Sequence, residues 1–116
     1  MRHNELRKII GCKFIAWADT FFADKNHLFF RMPFREVYQE MCRFNPELRH
    51  VSINEFKMNI LRYCTLRGWL LNPQMYHPIT LEPLIRDANG NPYIIDRIGG
   101  VEYMTVGPAE DRLITF

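Results

Sequence analysis

The stretch from Ser52 to Pro73, SINEFKMNILRYCTLRGWLLNP, constrains this chain more than any other, because it carries its own start and stop. Ser52 followed by Glu55 is a capping box: the hydroxyl accepts from the amide of residue 55 while the carboxylate reaches back to the amide of residue 52. Ile53, Phe56, Ile60, Tyr63 and Cys64 then recur at three-to-four spacing and form one apolar stripe of a helix at roughly 100° per residue. Asn54, Lys57, Met58, Asn59, Arg62 and Thr65 fall on the other faces. Arg67 suits the negative end of the helix dipole, and Gly68 supplies the left-handed residue that ends the helix. Trp69, Leu70 and Leu71 leave as a strand.

A longer helix is expected upstream, over about Asn4 to Ala23, with Leu6, Ile9, Ile10, Phe14, Trp17, Ala18 and Phe21 on its apolar side. Asp24 to Asn26 makes a polar turn, and Leu28 to Phe30 reads as a short strand. Pro33 opens a second helix that runs to about Arg43, with Phe34, Val37, Tyr38 and Met41 facing inward, and Asn45-Pro46 closes it. The chain between this helix and Ser52 is several residues long, so the pair reads as an elongated helix-turn-helix.

Beyond Gly68 the pattern changes. Five of the seven prolines lie there, which excludes long helices. Asn89-Gly90 and Gly99-Gly100 are turn dipeptides between the runs Thr80 to Arg86, Tyr93 to Ile98 and Val101 to Val106, so two successive hairpins are expected. Pro108 to Phe116 reads as a tail or as a final strand over Leu113 to Phe116. The order of elements, a helical part over about 1–68 and a hairpin part over about 69–116, is that of a single α+β winged helix-turn-helix domain with its recognition helix over about 52–67.

With 116 residues, 47% hydrophobic and 14% aromatic, the chain has apolar material for one modest core, and disorder is excluded. Cys12, Cys42 and Cys64 are odd in number, widely spaced and set in apolar helical patterns. Core thiols in a reducing cytoplasm are expected rather than a disulfide framework or a zinc site. No charge-poor run approaches the roughly 18 residues needed to cross a bilayer. The start, MRHNELRKIIGCKF, lacks the apolar core of a leader, so the chain reads as cytosolic and unprocessed.

The formal net charge of +2 is unevenly divided. Residues 1–67 hold 12 Lys and Arg against 7 Asp and Glu, and residues 68–116 hold 3 against 6, so the helical part is +5 and the rest is −3. A basic portion of a small domain is the electrostatic footprint expected of nucleic-acid binding.

The segment from Met32 through Pro73, and above all FKMNILRYCTLRGWLLNP, resembles the C-terminal region of phage- and plasmid-type primase-helicases, the virulence-associated E family and related superfamily-three helicases among them. The positions that carry the resemblance are Phe56, Lys57, Tyr63, Cys64, Gly68, Trp69, Asn72 and Pro73. FREVYQEM, from Phe34, and FIAWADTFF, from Phe14, are similar to the helices that precede them in that family. The resemblance covers about half of the chain and implies a small winged helix of a replication protein. The chain has no Walker-type phosphate loop and no arginine-finger motif, so helicase activity does not carry over. The hairpins after Pro78 match nothing in the family.

As a DNA reader, preferring duplex to single strands, the helix would offer Asn54, Lys57 and Arg62 to base edges or phosphates. Ser52 and the amides beside it would hold a phosphate, and Arg49 and His50 would contact the backbone. The bland alternative is that these are ordinary solvated helix positions. Arg86, Asn89 and Arg97 are the candidates in the wing, but Asp87 and Asp96 oppose phosphate there, and hairpins with a purely structural role are favoured. Stacking of bases on Phe29, Phe30, Tyr76 or Tyr93 is a lesser possibility, since interleaved aromatics are mostly core. Catalysis is not expected: His3, His27, His50 and His77 are isolated, Glu36 and Glu40 read as a solvated face, and no cofactor or metal is implied. The competing function is a docking module for a primase-helicase domain or for another copy of the chain, through Met58, Leu61 and Leu66.

Overall fold

The computed structural model describes residues 3–109. The helix expected over 4–23 is two helices, α1 (His3–Ile10) and α2 (Cys12–Phe21). Gly11 between them has φ 90°, a conformation that a side chain disfavours. Its amide still donates to the Arg7 carbonyl at 2.9 Å and its carbonyl still accepts from Ile15 at 3.1 Å, so the chain turns without losing these bonds. The turn puts Leu6 and Ile10 on one side of the core and Phe14, Ile15, Trp17 and Ala18 on another.

Asp24 caps a 3₁₀ turn over Lys25–His27, accepting from Asn26 at 2.9 Å. The strand expected at 28–30 does not form, because Phe29 is left-handed at φ 56° and makes a single ladder-like bond, to Val106 at 2.8 Å. The strand here is instead β1 (Met32–Pro33), directly ahead of α3 (Phe34–Phe44). Phe34, Val37 and Met41 are buried, and the Tyr38 hydroxyl donates to the Val51 carbonyl at 2.5 Å. Asn45 ends α3 and caps a 3₁₀ turn over Pro46–His50.

α4 (Ile53–Arg67) begins and ends as its sequence dictates. The Ser52 hydroxyl accepts from the Glu55 amide at 3.1 Å, and Gly68 is left-handed at φ 72°, ψ 28°. Half of the capping box is replaced: the Glu55 carboxylate takes Arg62 as its partner. Phe56, Ile60, Tyr63 and Cys64 are buried as expected, while Ile53 is half-buried. Asn59, expected on an outer face, is buried, and so is Leu66, expected at the surface; Leu61 is half-buried.

β2 (Trp69–Leu71) follows, then a left-handed Asn72 and a 3₁₀ turn over Pro73–Met75. Only one of the two expected hairpins is built from strands. The Asn89-Gly90 turn forms, with Asp87 accepting from the amides of Asn89 and Asn91 at 2.9 Å each. Its two flanks meet at one isolated bridge, Arg86 with Pro92, and a second bridge, Tyr76 with Pro83, lies ahead of the turn; Pro83 and Pro92 lack the donors that a ladder needs. β3 (Asp96–Ile98) and β4 (Val101–Met104) are joined at Gly99-Gly100 and pair with Arg97 opposite Glu102. The expected run to Val106 is cut at Thr105, where the chain crosses to β5 (Val106–Pro108), which pairs with β2. The strand expected over 113–116 lies outside the described residues.

The result is a mixed α+β fold with two small antiparallel sheets, one three-stranded in the order β1-β4-β3 and one of β2 and β5. The helices meet over an aromatic centre: Trp17 lies 5.4 Å from Phe14 and 5.9 Å from Phe56, and Phe22 stacks on Tyr63 at 5.8 Å. Met104 and Val106 close the core from the sheet side. The three thiols are unpaired, and one departs from expectation: Cys64 is buried and Cys42 half-buried, but Cys12, the first residue of α2, is exposed.

Candidate nucleic-acid interface

The outward ridge of α4 follows residues 54, 58, 61 and 65, spaced by three and four along one side of the helix. Asn54, Met58 and Thr65 are exposed on it. A groove runs along each flank. One, of about 460 Å³, separates the start of α4 from α1 and is lined by Ile9, His50, Ser52 and Glu55 among others. The other, of about 490 Å³, lies between α4, the start of α3 and the β3–β4 hairpin, and is lined by Arg35, Glu36, Lys57, Gly100, Glu102 and neighbours.

The six expected contact residues fall into two groups. Arg49, His50, Ser52 and Asn54 gather around the N-terminal end of α4, where all four are exposed. Arg49 has no carboxylate partner among the described residues. The His50 ring donates through Nδ1 to the Glu47 carbonyl at 2.5 Å. Ser52 uses an oxygen lone pair as the cap and keeps its own hydroxyl hydrogen to donate.

Lys57 and Arg62 are engaged elsewhere. Lys57 Nζ lies 2.8 Å from Glu102 Oε2 and 5.7 Å from the centre of the Phe34 ring. Arg62 Nη1 donates to Glu55 Oε1 at 3.0 Å and to Asn59 Oδ1 at 2.9 Å, which also satisfies the buried Asn59. Glu102 serves two cations at once, since its other oxygen accepts from Arg97 Nη2 at 2.5 Å. The bonds from Lys57 first, and then from Arg97, hold its carboxyl below the usual range.

Arg35 was not among the expected contacts and belongs beside them. It is exposed in the first turn of α3, shares the groove with Lys57 and has no carboxylate partner among the described residues. A cation one residue beyond a helix-opening Pro-Phe was the available signal.

The other hairpin candidates serve the turns and strands that carry them. Arg86 donates to the Gly90 carbonyl at 2.9 Å, and Asp96 receives both arms of Arg31, each at 2.9 Å. Of the aromatics considered for stacking, Phe29, Phe30 and Tyr93 are exposed, the Phe29 ring lying beside Gly107, and Tyr76 is half-buried. His27 stacks on Phe21 at 3.9 Å, and His77 accepts from the Ile79 and Thr80 amides at 3.2 and 3.1 Å. Among the described residues no group of three His, Cys, Asp or Glu side chains could hold a metal ion, and no helix is long and apolar enough to cross a membrane. No family model, curated protein or solved structure matches this chain.

Proposed function

We propose that this chain is a winged helix-turn-helix domain that binds duplex DNA as an accessory module of a plasmid or phage replication protein. The observation that carries the reading is the strand order β1-β4-β3. A short strand ahead of α3 and α4 pairs with the second strand of a hairpin that follows them, and that hairpin is tied to α4 by Lys57 and Glu102. In this reading α4 is the recognition helix and β3–β4 the wing of a winged helix, with residues 69–95 as an insertion.

In this reading Asn54 meets base edges from the outer ridge of α4. Arg49, His50 and Ser52 hold the phosphate backbone on one side of the helix start, and Arg35 holds it on the other. The wing contributes shape more than charge. The replication context rests on the resemblance of residues 32–73 to primase-helicase C-terminal regions.

Fluorescence anisotropy with a random duplex and a single strand, at two salt concentrations, tests the reading. Duplex binding that weakens steeply with salt supports it. No binding to either at micromolar protein and low salt removes it. One observation favours a docking module instead: the ridge carries Met58 with no uncompensated cation beside it, and the hairpin tip exposes Ile98 and Val101. Self-association insensitive to salt would support that second reading.

A further inference from the structure

We propose that Glu102 is an electrostatic latch that sets the polyanion affinity of the groove between α3, α4 and the β3–β4 hairpin, by occupying Lys57 and Arg97. The inference rests on the DNA-binding reading and deepens it.

One carboxylate here takes cations from two different elements, Lys57 of α4 on Oε2 and Arg97 of β3 on Oε1. The antiparallel register puts Arg97 directly opposite Glu102, and Lys57 reaches the same carboxylate across the groove. Of the cations at this groove and its hairpin wall, only Arg35 is left without a carboxylate partner among the described residues. Helix and hairpin therefore offer a phosphate much less charge than their residues suggest.

A phosphate oxygen and a carboxylate oxygen are equivalent acceptors for these cations. Partly exposed ion pairs are weak and exchange partners readily, so a DNA phosphate entering the groove can take over Lys57 and Arg97. Glu102 then remains behind, unpaired and facing the phosphate. It lowers affinity by holding the cations before binding and by repelling the anion after it. Glutamine at this position keeps the shape and an acceptor oxygen but removes both effects.

Removing any negative charge favours DNA, so the test needs a charge-matched control. Glu36 lines the same groove and has no cation partner among the described residues. Binding of a random fluorescent duplex to wild type, Glu102→Gln, Glu36→Gln, Lys57→Met and the Glu102→Gln/Lys57→Met pair is titrated at two salt concentrations. The latch predicts that Glu102→Gln binds about fivefold tighter at low salt, with a slope steeper by about 0.9 for each phosphate newly contacted. Glu36→Gln gains less than about twofold, and most of the Glu102→Gln gain disappears in the Lys57→Met background.

If wild type binds and Glu102→Gln improves no more than Glu36→Gln, the latch is overturned and DNA binding stands. If only Glu102→Gln binds, the latch is supported as the reason the site is silent. If none of the five proteins binds, both the latch and the DNA reading are overturned.

Discussion

Asn72 and Thr105 hold each other through a reciprocal pair of bonds: the Asn72 amide donates to the Thr105 carbonyl at 2.6 Å, and the Thr105 amide donates to Asn72 Oδ1 at 2.9 Å. The Asn72 Nδ2 donates to the Ile94 carbonyl at 2.6 Å. One buried side chain thus joins the end of β2, the approach to β3 and the crossover from β4 to β5. Asparagine also tolerates the left-handed φ of 53° found here better than most residues. Asn72→Ala strands two backbone groups and adds conformational strain, so it should cost about 2–4 kcal/mol in a urea unfolding experiment. A variant as stable as wild type would mean that this side chain does not join the segments.

Gly107 is constrained by its neighbour rather than by its own backbone. A Cβ at this position would stand 2.5 Å from the Phe29 ring. The obstacle is the end of a side chain, so in Gly107→Ala the ring gives way and loses its contact with the β2–β5 ribbon. A loss of about 1–2 kcal/mol is expected by thermal or urea unfolding. In a Phe29→Ala background the further loss on adding Gly107→Ala should nearly vanish, since nothing then meets the new methyl group. A penalty that persists there would place the clash elsewhere.

The thiols should separate in a time course with an aromatic disulfide reagent at mildly alkaline pH. Cys12 is exposed and should react at once, whereas Cys64 is fully buried and its pKa is pushed up to about 12 by that burial. Little thiolate forms at Cys64 in the folded state, so its reaction waits for unfolding. Fast modification of Cys64 in the native protein would contradict its place in the core.

These positions also show which parts of the fold the sequence could disclose. α4 was readable because its determinants are local: a cap at Ser52, a stop at Gly68 and a stripe between them. The break at Gly11 was not, because Leu6, Ile10, Phe14 and Trp17 keep their spacing across it and only the backbone angle differs. The Gly99-Gly100 hairpin was legible, but β5 was not separable from β4, since its partner is β2, with Trp69 opposite Pro108. At the candidate site the residue types were legible and their availability was not. Lys57 is neutralised from 45 positions away by Glu102, and Arg62 reaches back two turns to Glu55.

Acid should loosen the hairpin. Glu102 is held below its ordinary pKa by Lys57 and Arg97, and Glu47 by Lys13. A carboxyl depressed by folding contributes stability above its unfolded pKa, about 4.3 for glutamate, and that contribution is lost as pH falls through the lower folded value. Stability measured by urea unfolding should therefore decline below about pH 4.5, and Glu102→Gln should flatten part of that decline. An unchanged acid limb in the variant would show that the pairing adds nothing to stability. Because Arg97, Lys13 and Glu47 are more than half exposed, the effect should also shrink at high salt.

Arg49 and Arg62 stand close to the same helix but should fail in opposite assays. Arg49 is exposed and has no carboxylate partner among the described residues, so on the proposed DNA-binding reading Arg49→Ala should remove a phosphate contact without disturbing the fold. Its duplex affinity should fall, and the slope of log affinity against log salt should shrink by about 0.9, with the same result for Arg35→Ala. Arg62 is mostly buried against its own helix and supplies a bond to the buried Asn59. Arg62→Ala leaves that oxygen and Glu55 without their cation, at a cost of about 1 kcal/mol in unfolding, while the salt slope stays nearly unchanged. The reverse outcome, with Arg62 carrying the slope and Arg49 silent, would mean that Arg62 leaves Glu55 and Asn59 when DNA arrives. The interface would then run along the middle of α4 rather than around its start.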